Sequence, residues 1–165
     1  MDADGDGWSN YNEFIAGTDP QSDTDLPSGE PFTSVVWEDQ VRTNSSNTAG
    51  VGSSLEKTEA TTHWNAGAVS ERYLEGDGVL RFAFVEDGAV MVVGLNDWHI
   101  GNSLSEFDFG LRFSLNEVTV FENNTVQASF PVYEVGELFS IARVGTEIRY
   151  QRDGVTFHTS TVASD

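Results

Sequence analysis

The sequence predicts an all-β protein, an antiparallel β-sandwich, preceded by a short N-terminal calcium loop-helix. Three observations lead there. From Phe32 onward apolar residues recur with period two. Turn signals interrupt them at a spacing of about eight to twelve residues. No helical pattern of useful length follows residue 31. With 165 residues, 38% of them hydrophobic and 12% aromatic, the chain can build one core and carry a short module beside it. The organisation expected is a calcium-binding repeat over 1–20, a linker over 21–31 and a sandwich over 32–165.

The first element is residues 2–13, Asp-Ala-Asp-Gly-Asp-Gly-Trp-Ser-Asn-Tyr-Asn-Glu. An EF-hand loop takes oxygen ligands at positions 1, 3, 5, 7, 9 and 12 and a glycine at 6 for the sharp turn. Those slots fall on Asp2, Asp4, Asp6, Trp8 through its carbonyl, Asn10 often through water, and a bidentate Glu13, with Gly7 at the turn. A short helix is expected over 9–16, capped by Ser9 and stopped by Gly17 and Pro20. Residues 2–20 resemble the thrombospondin type 3-like repeats that link domains in secreted bacterial enzymes and surface proteins. Position 8 of the loop, usually apolar in paired EF-hands, is Ser9, and no second loop follows. The resemblance therefore implies an unpaired, structural Ca2+ rather than a switch. Met1 directly before the loop suggests a start inside a longer chain. Residues 18–31 are rich in Pro, Ser and Asp and read as a linker, whose Asp19, Asp23 and Asp25 are expected as solvated charges, with a second calcium as the alternative.

The alternating segments follow in order. Val35, Trp37 and Val41 open the pattern, and residues 66–73 continue it. Then come 79–85, 89–95, 109–115, 117–122, 127–132, 138–144, 147–152 and 155–160, roughly ten to twelve strands in all on a sandwich-like spacing. Gly76-Asp77-Gly78, Glu86-Asp87-Gly88, Asn123-Asn124, Gly145-Thr146 and Asp153-Gly154 mark turns. The order of segments around Trp64, Gly76–Phe82, Val92–Leu95, Phe107–Phe113, Tyr133–Arg143 and Ile148–Ser160 resembles a concanavalin A-like jelly roll, the fold of many lectins and of laminin-G-like and SPRY-like domains. The resemblance covers most of 60–160. It implies a domain appended to secreted bacterial glycan-active or surface proteins, but a fold does not fix a function.

Charge narrows the partners. Lys+Arg 8 against Asp+Glu 27 gives a net charge of −19. Such a field repels nucleic acid and anionic membranes, and it suits calcium-rich water of high ionic strength, such as a marine extracellular setting. The absence of cysteine excludes disulfides and thiolate chemistry. No apolar run is long enough to span a bilayer as a helix, and no signal peptide is visible.

Catalytic patterns are weak. His63, His99 and His158 are far apart, and neither a nucleophile elbow nor a phosphate loop occurs. Glycosidases of jelly-roll type use paired carboxylates on a strand. The nearest pair, Glu106 and Asp108, has no third carboxylate in register and reads more simply as an acidic turn entry.

Carbohydrate sites join an aromatic platform to a few planar polar side chains. Trp37 reads as core and Trp8 belongs to the calcium loop. The segment after Leu95 groups Asn96, Asp97, Trp98, His99 and Asn102 in one loop, and Trp64 stands between polar stretches as either a rim aromatic or a buried cap. Arg72, Arg81, Arg112, Arg143, Arg149 and Arg152 alternate with apolar residues and are expected on the solvent face of one sheet. There Arg81, Arg112 and Arg143 would make a basic patch if adjacent. The blander expectation is cross-strand pairing with Glu71, Glu117 or Glu147. Asp77, Asp97 and Asp108 are candidates for a second calcium. The reading is a non-catalytic carbohydrate-binding module of a larger secreted or cell-surface protein, with a polysaccharide and a covalently linked upstream domain as partners. The alternatives are an adhesive spacer domain and a small polysaccharide-degrading enzyme.

Overall fold

The computed structural model describes residues 21, 35–41, 43–48, 52–60, 63–84, 90–97, 103–114, 117–131 and 133–164. The expected calcium ligands Asp2, Asp4, Asp6, Trp8, Asn10 and Glu13, and the helix expected over 9–16, lie outside these residues. So do Trp98, His99 and Asn102, and the turn expected at 86–88.

The described chain is all-β and antiparallel. Twelve strands run in order: β1 Trp37–Val41, β2 Thr43–Thr48, β3 Gly52–Lys57, β4 Gly67–Ser70, β5 Gly78–Ala83, β6 Met91–Leu95, β7 Phe109–Ser114, β8 Glu117–Glu122, β9 Thr125–Pro131, β10 Leu138–Val144, β11 Glu147–Arg152 and β12 Val155–Thr159. A single 3-10 turn, Leu104–Glu106, precedes β7. Two four-stranded sheets carry the domain, one in the order β12-β11-β10-β5 and the other β6-β7-β8-β9; β1 pairs with β4, and β2 with β3.

Side chains that alternate along each strand build the interior between the two large sheets. One sheet sends in Phe109, Leu111, Phe113, Val118 and Val120, and the other Phe139, Ile141, Ile148 and Tyr150. Phe113 meets Phe139 edge-on at 4.9 Å between centroids, and Phe130 meets Phe157 at 4.7 Å. These contacts set β7 over β10 and β9 over β12, so the chain is a sandwich. Each such side chain, fully enclosed, contributes about 1.5–3 kcal/mol.

The sequence explains the short connections. Asn123 (φ 46°) and Asn124 (φ 62°) both take the left-handed conformation that a two-residue type I′ hairpin demands, joining β8 to β9. Asp153 (φ 48°) and Gly154 (φ 78°) do the same between β11 and β12. The Asp153 carboxylate also accepts the Leu138 N–H at 3.0 Å, tying that turn to the start of β10.

Three expectations need correction. The polar hairpin β2–β3 was not foreseen. The strand expected over 66–73 extends only over Gly67–Ser70. The arginines do not share a face. Arg81 lies on β5 and Arg143 on β10, whereas Arg112 lies on β7 in the opposite sheet, and Arg72 follows β4 rather than standing on a strand. Alternation decides which side of a strand a residue takes, but not which sheet the strand joins, so no patch of Arg81, Arg112 and Arg143 forms.

Candidate functional site

Two segments carry the site residues that the structure describes. The first is the connection between β3 and β4. The His63 carbonyl accepts the Asn65 N–H at 3.0 Å, a three-residue turn with Trp64 at its apex. The same carbonyl receives the Lys57 Nζ at 2.8 Å, and Asn65 Nδ2 donates to Glu59 Oε2 at 2.9 Å. Both flanks of the apex are thereby tied to the end of β3. The indole they hold out is 47% exposed. Trp64 is therefore exposed rather than a buried cap.

The second segment is the base of the β6–β7 connection. Asn96 and Asp97 leave β6 and are exposed. The Asp97 N–H donates to Asp108 Oδ2 at 2.9 Å, the Asp108 N–H to the Leu95 carbonyl at 3.1 Å, and the Asn123 N–H to the Asp108 carbonyl at 3.1 Å. Asp108 thus clamps the two ends of the connection together and joins them to the β8–β9 turn. Behind the clamp, Gly94 and Gly110 face each other across β6 and β7. A Cβ built on Gly94 would come within 2.7 Å of Phe107 Cδ1, so the two glycines form the seat for the Phe107 ring. Phe121 pairs with Gly110 from the other side and is buried.

Glu106 and Asp108 are not on a strand. Ser103 starts the 3-10 turn, and Glu106 closes a capping box by accepting the Ser103 N–H at 3.3 Å. Both carboxylates serve local backbone donors. Asp77 belongs to another set of contacts, accepting the Gly145 N–H at 2.6 Å from the β10–β11 turn. Among the described residues no three of His, Asp and Glu gather as metal ligands.

Sequence reasoning missed one buried polar centre. Glu122, at the end of β8, is 1% exposed. Its Oε1 accepts the Tyr150 hydroxyl at 2.9 Å and its Oε2 the Ser160 hydroxyl at 2.9 Å. Burial, and then the neighbouring Glu122 carboxylate, push the Tyr150 phenol far above its ordinary range. The centre bonds the two sheets to each other and to the segment after β12. Its partners are 28 and 38 residues from Glu122 in sequence, so no local pattern could reveal it.

Three of the described arginines are engaged by neighbouring groups. Arg149 pairs with Glu147 and Arg152 with Glu137. Arg143 Nε donates to the Gly145 carbonyl at 3.1 Å. Of the cross-strand partners expected, only Glu147 takes an arginine in these pairs, and it does so from two residues away on the same strand.

Comparison with protein-family models, with curated proteins and with solved structures finds no match for this chain.

Proposed function

We propose that the chain is a non-catalytic carbohydrate-binding module of a larger secreted bacterial protein. In this reading the sandwich is a concanavalin A-like jelly roll. The loop over 2–13 holds a structural calcium that stiffens the joint to a preceding domain. A polysaccharide docks against an indole platform and the amide and carboxylate groups beside it.

The observation that carries the reading is the display of Trp64. Leaving nearly half of Trp64 in water forgoes apolar burial, and the hydrogen bonds at the His63 carbonyl and the Asn65 side chain restrict the turn that binding would otherwise have to freeze. A rigid, exposed aromatic is what stacking on the apolar face of a sugar ring requires. Asn96 and Asp97 supply the planar polar groups of the second segment, together with Trp98, His99 and Asn102 of the same connection.

Affinity electrophoresis through gels containing polysaccharides, in calcium buffer, tests the reading with wild type, Trp64→Ala and Trp98→Ala. Loss of one stacking indole is expected to weaken binding about tenfold, corresponding to about 1.4 kcal/mol. Retardation that both variants retain would move the site elsewhere. No retardation of wild type in any gel would turn the reading toward the adhesive spacer.

A further inference from the structure

The charge around the Trp64 platform narrows the ligand class, on the footing that the carbohydrate reading holds. The chain as a whole carries −19. An anionic polymer approaching it meets a repulsive field unless a local cluster of cations overrides that field. The described arginines that stand on strands belong to the two four-stranded sheets, and none to β3 or β4, between which Trp64 lies. Of these, Arg149 and Arg152 are ion-paired, and Arg143 Nε donates to the Gly145 carbonyl. Arg72 follows the far end of β4 from Trp64.

At the platform itself one cation and one carboxylate hold the turn. Lys57 donates to the His63 carbonyl at 2.8 Å and Glu59 accepts from Asn65 at 2.9 Å, one charge of each sign. What the described residues hold out at the apex is an exposed indole, in a protein that carries −19.

We infer that the Trp64 site takes an uncharged polysaccharide, one whose sugar rings offer an apolar face, and discriminates against uronate- and sulfate-bearing polymers. The discrimination arises from the field rather than from steric exclusion, so it weakens as salt shortens the Debye length from about 30 Å at 0.01 M to about 8 Å at 0.15 M.

The experiment uses polymer pairs that share a backbone type and differ in charge: hydroxyethylcellulose against carboxymethylcellulose, methyl-esterified pectin against polygalacturonate, and agarose against carrageenan. Retardation of the full chain and of Trp64→Ala is measured at low and high sodium chloride, with calcium present and after chelation. The expected result is that the neutral member of at least one pair binds about tenfold more tightly than its charged counterpart at low salt. Raising the salt should narrow that gap, and Trp64→Ala should abolish the neutral binding. Equal or tighter binding of the charged member through Trp64 would overturn this inference and leave the module reading standing. Charged-polymer binding that vanishes on chelation would also overturn it, by placing the anion on a bound cation. Silence in all three pairs, or neutral binding untouched by Trp64→Ala, would remove the reading on which the inference rests.

Discussion

Replacing Tyr150 by Phe removes one hydroxyl from the centre of the sandwich and leaves the ring in place. In the wild type that hydroxyl donates to Glu122, a carboxylate that is 1% exposed and retains the Ser160 hydroxyl as a further donor. A hydrogen bond to a buried charged group contributes about 1.5–3 kcal/mol, so Tyr150→Phe should cost about 2 kcal/mol at pH 7. The cost should depend on pH. Burial, and then the Glu122 carboxylate, hold the Tyr150 phenol of the folded state far above its ordinary value of about 10. A raised pKa stabilises the native state fully below the unfolded value, and that stability is lost as pH rises above it. One unit above, at pH 11, the wild type forfeits about 1.4 kcal/mol that the variant never had. The gap between the two proteins should therefore shrink to roughly 0.6 kcal/mol. Urea unfolding followed by circular dichroism at pH 7 and pH 11 measures both numbers. A variant as stable as wild type at pH 7 would refute the hydrogen bond, and a gap unchanged at pH 11 would refute the shift.

Further expectations concern the core, the glycine seat and the calcium loop. Phe113→Ala empties a fully buried position ringed by Phe82, Phe84, Tyr133 and Phe139, and should cost about 3–5 kcal/mol in the same melt. Gly94→Ala would drive a methyl into the Phe109 carbonyl oxygen, 2.7 Å from Phe107 Cδ1 and 2.9 Å from Gly110 Cα, and should cost about 1–3 kcal/mol. Gly76→Ala meets nothing within 4 Å and should stay within about 0.5 kcal/mol of wild type, so equal effects at the two glycines would discredit the packing argument. Chelation should lower the Tm of the wild type and added calcium restore it, with no such response in Asp2→Ala or Glu13→Ala. A wild-type melt indifferent to chelator would count against a structural ion.

How much of this was legible in the sequence follows from which forces leave a local trace. The strands from β5 onward were readable because apolar residues recur at every second position, as Phe109, Leu111 and Phe113 do in β7. Their hairpins were readable because Asn123-Asn124 and Asp153-Gly154 tolerate positive φ. The β2–β3 hairpin was not, since Thr-Asn-Ser-Ser-Asn-Thr and Gly-Ser-Ser-Leu-Glu-Lys carry no hydrophobic period. Trp64 could not be assigned from its neighbours because its display depends on Lys57 and Glu59, which sit in an earlier segment. Glu106 and Asp108 had the spacing of a strand face, but the serine cap at Ser103 turned that stretch into a 3-10 turn.

The sheet β12-β11-β10-β5 joins two kinds of neighbour. β10, β11 and β12 are consecutive hairpins, whereas Leu80 of β5 pairs with Ile141 of β10 across about 60 residues of chain. Closing so long a loop is slow beside closing a hairpin turn of two residues. The newly made chain should therefore assemble its last three strands first. Pulse-labelled exchange should find the β10 amides that face β11 protected before those that face β5. Until β5 arrives, one side of β10 offers its unpaired N–H and C=O groups to any other nascent copy, which makes that interval the one in which crowding during synthesis turns folding into aggregation.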